Sequence, residues 1–317
     1  MRFVAIFLAC IAAFPVAAQY AAKPIRFIIP FPPGGGTDTN SRALTQRIAK
    51  NTGWTFVMDN KPGAGGNIGA EQAAKAAPDG YTLVLGQTSN LAINPFLYSK
   101  PPFDPLKDFE PVALVSSVPL VIVAGAKTSY RSMSDVIKAA KAAPDKVTYA
   151  SPGNGTVGHL AGEIIARSVG VKMLHVPYKG AGPALTDLIG GQVDLYLSTP
   201  QAAIGQIKAG TVHALAVSST ARTAALPQTP TLAESGIQGA DVSSWYGVLV
   251  PAKTPQAIID RLNAEVIKAL AAPEVRESLT GEGGEVLGGT PKQFADFLRA
   301  EQAKWSKVVK ESGVKLD

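Results

Sequence analysis

Apolar runs of strand length alternate with segments of helical spacing along most of this chain. Strand-like runs fall at 25–31, 55–60, 81–86, 111–125, 147–153, 171–178, 193–199, 212–219 and 245–251. Between them, Thr39–Lys50, Gly69–Ala77, Met133–Ala143, His159–Val169, Ala181–Ile189, Ala202–Ala209 and Pro255–Leu270 are expected as helices, several with apolar residues at helical spacing. The strand runs are near-continuously apolar, the pattern of parallel strands covered on both faces. Regular β-α alternation predicts an α/β fold with mostly parallel sheets flanked by helices.

The run from Pro111 to Gly125 is long for one strand and is interrupted by Ser116, Ser117 and Pro119. One strand leaving a first sheet and another opening a second account for it. A return crossing near Ser243–Tyr246 brings the C-terminal helices back. The expected division is a discontinuous domain of 19–116 plus 245–317 and an inserted domain of 117–244. The length agrees, because single cores usually stop growing at about 250–300 residues.

The N-terminus sets the expected compartment. Arg2 is the only charge before Lys23, Phe3 to Phe14 is apolar, and Pro15 is followed by Val16, Ala17, Ala18 and Gln19. This is the pattern of a signal peptide spanning 1–18, which places the protein in the periplasm. The apolar run is short of the roughly 20 residues that span a bilayer. The only cysteine, Cys10, lies in this segment, so cleavage leaves a chain without disulfides or thiol chemistry. The formal charge of +6 falls to +5 with the loss of Arg2, and the cations are scattered with no nucleic-acid stripe.

Ligands of open α/β sheets bind where strands end and helices begin. The first strand runs into PPGGGTDTNSR, where Gly35, Gly36 and Thr37 open a helix. Glycines admit close backbone approach, and the free N–H groups of a helix start favour an anion. A plain glycine turn with a Thr or Asp cap is the alternative. It is no nucleotide loop, since no Lys-Ser/Thr pair follows the glycines. The segment 62–70 lacks that pair too. Other strand ends offer Thr88, Ser89 and Asn90; Ser151, Asn154, Gly155 and Thr156; and Ser198 and Thr199. These small hydroxyls and amides donate to a carboxylate without adding bulk or charge.

Enzyme chemistry finds little support. There is no G-x-S-x-G elbow, and the histidines are His159, His175 and His213. His175 and His213 sit in apolar runs, as core imidazoles do. His159 and Glu163 share an i, i+4 spacing that makes half a metal site, but no third ligand is spaced to complete it. The pair is read as bracing, and no metal, cofactor or catalytic residue is assigned.

The stretches KPIRFIIPFPPGGGTD (23–38), NKPGAGGNIGAEQAAKAAPDGYTLVLG (60–86), YASPGNGTVGHLAGE (149–163) and HVPYKGAGPALTDLIGGQVDL (175–195) resemble the Bug-type solute receptors of tripartite tricarboxylate transporters. KAGTVHALAVSSTAR (208–222), LPQTPTLAESG (226–236) and SWYGVLVPAKTP (244–255) continue the resemblance in order. It implies a two-domain periplasmic-binding-protein fold, a type II Venus flytrap, that binds an organic carboxylate and delivers it to membrane permease subunits. It also implies a cleft lined near 31–37, 87–90, 151–156, 178 and 198, with carboxylate held by backbone amides and waters. On this basis Gly35, Gly36 and Thr37 anchor a carboxylate, and Ser151, Asn154, Gly155 and Thr156 engage it from the second domain. Phe31 and Tyr178 pack either on the ligand body or in the core. Thr88, Ser89, Asn90, Ser198 and Thr199 set length and polarity at the rim. Some relatives are acidic where this chain has Ser198, so a ligand ammonium is disfavoured here. The receptor is expected as a monomer. A periplasmic sensor or scavenger is the alternative role, and an exported α/β enzyme the more distant one.

Overall fold

The computed structural model describes residues 20–281 and 283–316. The expected signal peptide lies outside the described residues. The first sheet contains β1 (Ile25–Ile29), β2 (Phe56–Asn60), β3 (Thr82–Gln87), β4 (Phe109–Pro119), β10 (Ser243–Pro251) and β11 (Glu285–Val286), in the order β11-β4-β10-β3-β1-β2. The second contains β5 (Val121–Gly125), β6 (Thr148–Ser151), β7 (Leu174–Pro177), β8 (Leu195–Ser198) and β9 (Val212–Val217), in the order β7-β6-β8-β5-β9.

Both sheets are mixed, which corrects the expectation of mostly parallel ones. β1 runs parallel to β2 and β3, and β6 parallel to β7 and β8. The exceptions have one origin. β10 enters the first sheet from the second, and β5 enters the second from the first. Each runs against both of its neighbours, β3 and β4 for β10, β8 and β9 for β5. β11 adds a short antiparallel edge on β4. Apolar runs do not reveal direction, because an entering strand is as buried as the rest: every residue of β5 is buried.

The helices are α1 (Gly36–Thr52), α2 (Asn67–Ala74), α3 (Asn94–Leu97), α4 (Met133–Ala142) and α5 (Val157–Ser168). They continue as α6 (Ala181–Gly190), α7 (Pro200–Lys208), α8 (Gln256–Leu270), α9 (Pro273–Thr280) and α10 (Pro291–Ser312). Among the described residues, none is long and apolar enough to cross a membrane. α10 starts at a capping box between Thr290 and Gln293. It is fixed to β10 through Glu301, whose Oε2 accepts the indole N–H of Trp245 at 2.7 Å and of Trp305 at 3.1 Å. Both indoles are almost fully buried, so their N–H groups require such a partner.

The chain passes between the sheets at Leu120 and again between β9 and β10. Ser218 ties the two passages together. Its Oγ accepts the Leu120 N–H at 2.7 Å and donates to the Val242 carbonyl at 2.5 Å.

Candidate functional site

A cavity lies between the sheets, walled by both. From the first come Phe31, Gly35, Gly36, Thr37 and Ser89, and from the second Thr156, Ser198 and Thr199. These eight were candidates from the sequence. The remaining six lie elsewhere.

Asn154 and Tyr178 line a neighbouring chamber, which Phe31 also borders. Thr88 and Asn90 are fully buried behind the wall, a correction to their expected place at the rim. Thr88 Oγ1 accepts the Trp245 N–H at 2.8 Å, and Asn90 Oδ1 accepts the Gln87 N–H at 3.0 Å. Both join β3 to its surroundings. Ser151 is likewise buried and braces its own loop, sharing a 2.7 Å hydrogen bond with His175 Nε2 and accepting the Gly153 N–H at 3.2 Å. Gly155, at φ 74°, packs where a Cβ would stand 2.2 Å from Asn94 Oδ1. Its role there is close approach of the two halves. Gln87 and Pro152, within the stretches the resemblance places at the cleft, are in the cavity wall, which adds Gly158, Gly180, Ser244 and Tyr246, unassigned from the sequence.

The cavity gathers helix starts. α1 begins at Gly36 with Gly35 as its cap residue, α6 at Ala181 after Gly180, and α7 at Pro200 after Thr199. None of these three has a side-chain cap. At α5, Thr156 caps the His159 N–H with its own hydroxyl at 3.5 Å. Uncapped first-turn N–H groups at α1 and α6, together with the positive dipole ends of all three helices, therefore face the cavity from both halves; α7 opens on Pro200, which has no N–H to offer. Among the described residues lining it, none is charged. An anion is met here by neutral donors alone.

The halves are closed on one another. A Cβ on Gly36 would sit 3.3 Å from Thr199 Oγ1, one on Gly65 2.7 Å from the Asn154 carbonyl, and one on Gly180 2.6 Å from Pro32 Cγ.

The glycine loop is held by Asp38, which lies beneath it and is 4% exposed. Asp38 Oδ2 accepts the Gly34 N–H at 3.1 Å, Oδ1 accepts Asn60 Nδ2 at 3.1 Å, and Arg42 Nε donates to both oxygens at 3.0 Å. Burial alone would raise its pKa, but the bonds from Arg42, Gly34 and Asn60 hold the carboxyl below its ordinary value. Asn60 also donates to the Phe31 carbonyl at 2.9 Å. Asp38→Asn keeps the shape and removes the charge. Loss of charge-assisted bonds worth about 1.5–3 kcal/mol each is expected to loosen the loop and weaken ligand binding roughly tenfold. Calorimetry giving the parent affinity would show that the glycines hold their conformation unaided.

On the other side, two neutral imidazoles brace the loop 151–156. His159 and His175 stack with centroids 4.0 Å apart, and His159 Nδ1 accepts the Gly155 N–H at 3.3 Å. Burial lowers the His159 pKa to about 4; burial and then the neighbouring His159 lower that of His175 to about 3. Glu163 accepts the Tyr149 hydroxyl at 2.5 Å. Among the described residues, no three His, Cys, Asp or Glu side chains are grouped to hold a metal.

Two sheets closed over an uncharged, donor-lined cavity define a solute-binding receptor of the periplasmic-binding-protein class. The chain belongs to the tripartite tricarboxylate transporter receptor family, whose model matches residues 41–314. It is 38% identical over 304 residues to BugT of Bordetella pertussis, covering 95% of this chain and 93% of that protein. Rpa4515 of R. palustris, solved with adipate, is similar at TM-score 0.90 and 34% identity, with 93% of this chain and 99% of that one covered. MatC of Rhodopseudomonas palustris, solved with bound malate, is similar at TM-score 0.87 and 32% identity, with 92% and 100% covered.

Proposed function

We propose that this chain is exported to the periplasm, closes over a small organic carboxylate, and hands it as a monomer to the permease of a tripartite tricarboxylate transporter. The observation that carries this reading is the convergence of three uncapped helix N-termini, from both halves, on a cavity free of charged side chains. The moving units are the two sheets with their helices, near 19–116 plus 245–317 and 117–244, with the first crossing shifted to Leu120. The backbone at Gly35, Gly36 and Thr37 grips the acid from one unit, and Thr156, Ser198 and Thr199 meet it from the other. A ligand that contacts both units favours closure by that difference in contacts. The closed surface is what the permease recognises. Family members with adipate or malate bound support the ligand class.

The test is a thermal-shift screen of mono-, di- and tricarboxylates, each beside its neutral amide. An acid at about 100 times its Kd is expected to stabilise the chain by about 2.7 kcal/mol, and its amide not at all. Aspartate and glutamate are expected to bind weakly, because no carboxylate in the cavity wall meets an ammonium. A screen in which no acid shifts the melt, or amides act equally, would overturn the proposal. For delivery, loss of the gene should abolish uptake of the same acid.

A further inference from the structure

A second chamber lies beside the carboxylate cavity. Phe31, Pro32, Pro152 and Gly180 belong to both walls, so the two spaces adjoin. Their volumes differ greatly, about 60 Å³ inside against about 390 Å³ outside. The inner space is the smaller of the two, suited to a carboxylate and the first carbons of its stem. A larger acid gripped by its carboxylate must place its body in the outer chamber.

The outer wall is specific in character. Phe31, Tyr98 and Tyr178 contribute rings, and prolines and glycine backbone fill much of the rest. The Tyr178 hydroxyl donates to Asp187 Oδ2 at 2.7 Å, which occupies the polar end of that ring. The polar side chains Asn154 and Lys179 are both exposed. A second carboxylate in this chamber would lose water and meet only the exposed Asn154 amide, the exposed Lys179 ammonium and the backbone of 63–66, a weak exchange. A flat apolar body gains ring contacts without that loss.

We infer that the preferred ligand is an aryl carboxylate, its acid group in the inner cavity and its ring against Phe31, Tyr98 and Tyr178. This rests on the carboxylate reading of the inner cavity. It differs from that reading in what it forbids: an acyclic dicarboxylate as the best ligand.

Calorimetry on the folded protein with benzoate, phenylacetate, 3-phenylpropionate, the saturated-ring analogue of the last, and adipate tests it. The best aryl acid is expected to bind at least about tenfold tighter than adipate and several-fold tighter than the saturated ring. Tyr178→Leu should weaken the aryl acid roughly three- to tenfold and leave adipate within about twofold, while Tyr178→Phe retains parent behaviour. Adipate equal to or tighter than every aryl acid, or a saturated ring binding as well, overturns the inference and leaves the carboxylate reading standing. Binding of no acid at all overturns both. Should Tyr178→Leu fail to fold, the comparison among ligands on the parent protein decides alone.

Discussion

Ser198→Asp is expected to weaken carboxylate binding at least about thirtyfold, while Ser198→Asn, of nearly the same size, weakens it only a few-fold. Ser198 ends β8 and borders the cavity directly before the start of α7. No charged side chain shares that wall among the described residues, so an introduced carboxylate has no cation to neutralise it. Two unit charges 4 Å apart at an effective dielectric constant of 20 repel by about 4 kcal/mol, and half of that already exceeds a factor of about thirty. The helix dipoles that would hold the ligand's charge hold the aspartate's instead, so the empty protein tolerates the change. The gap between the two variants should narrow as pH falls and the new carboxyl takes a proton. Calorimetry at two pH values on both variants measures this. Equal losses for Asp and Asn, independent of pH, would mean that the cavity's occupant carries no negative charge.

That position was found from the sequence because it ends a strand, and strand ends were the signal throughout. What the sequence did not give was the face. Side chains alternate along a strand, so neighbours at its end point to opposite sides. β10 shows this: Ser244 and Tyr246 line the cavity, while Trp245 turns to Glu301 of α10. Past the end of β3 the backbone is helical at Thr88 and through Ser89–Ile93, and there Ser89 lines the cavity while Thr88 and Asn90 turn into the interior. The crossing at 243–246 was legible as a boundary, but nothing in its residues marks which parity faces the other sheet. The start of α6 was missed for a different reason. Gly180 and Ala181 carry no polar side chain, and a search for small hydroxyls passes over a site made only of backbone. Asp38 was legible only as a residue opening a helix. Its bond from Asn60 depends on β2 lying beside β1, a contact that pairs residues over twenty positions apart.

The imidazole pair behind the loop 151–156 gives the largest expected dependence on pH. Folded His159 titrates near 4 and His175 near 3, against about 6.5 for an unfolded histidine. Between those values the unfolded chain binds more protons than the folded one, so stability is full above about pH 7 and falls as pH drops. For His159 alone the displacement corresponds to about 3 kcal/mol, most of it lost by pH 4.5. Carboxylates with lowered values, Asp38 among them, add to the loss only as pH nears their unfolded values of about 4, so the histidines dominate the upper part of the window. Binding should weaken in step. His159 Nδ1 accepts the Gly155 N–H, so its neutral form carries the proton on Nε2, and the second proton must arrive at Nδ1. The acceptor becomes a donor facing a donor, and the loop that leads to Thr156 loses its support. His175→Phe keeps a ring in the stack on Tyr149 and His159 and removes one titrating group, so it should flatten the slope. Urea denaturation from pH 7.5 to 4.5 on the parent and this variant measures both. A parent curve flat across that range would show that the buried imidazoles take up protons without disturbing the fold.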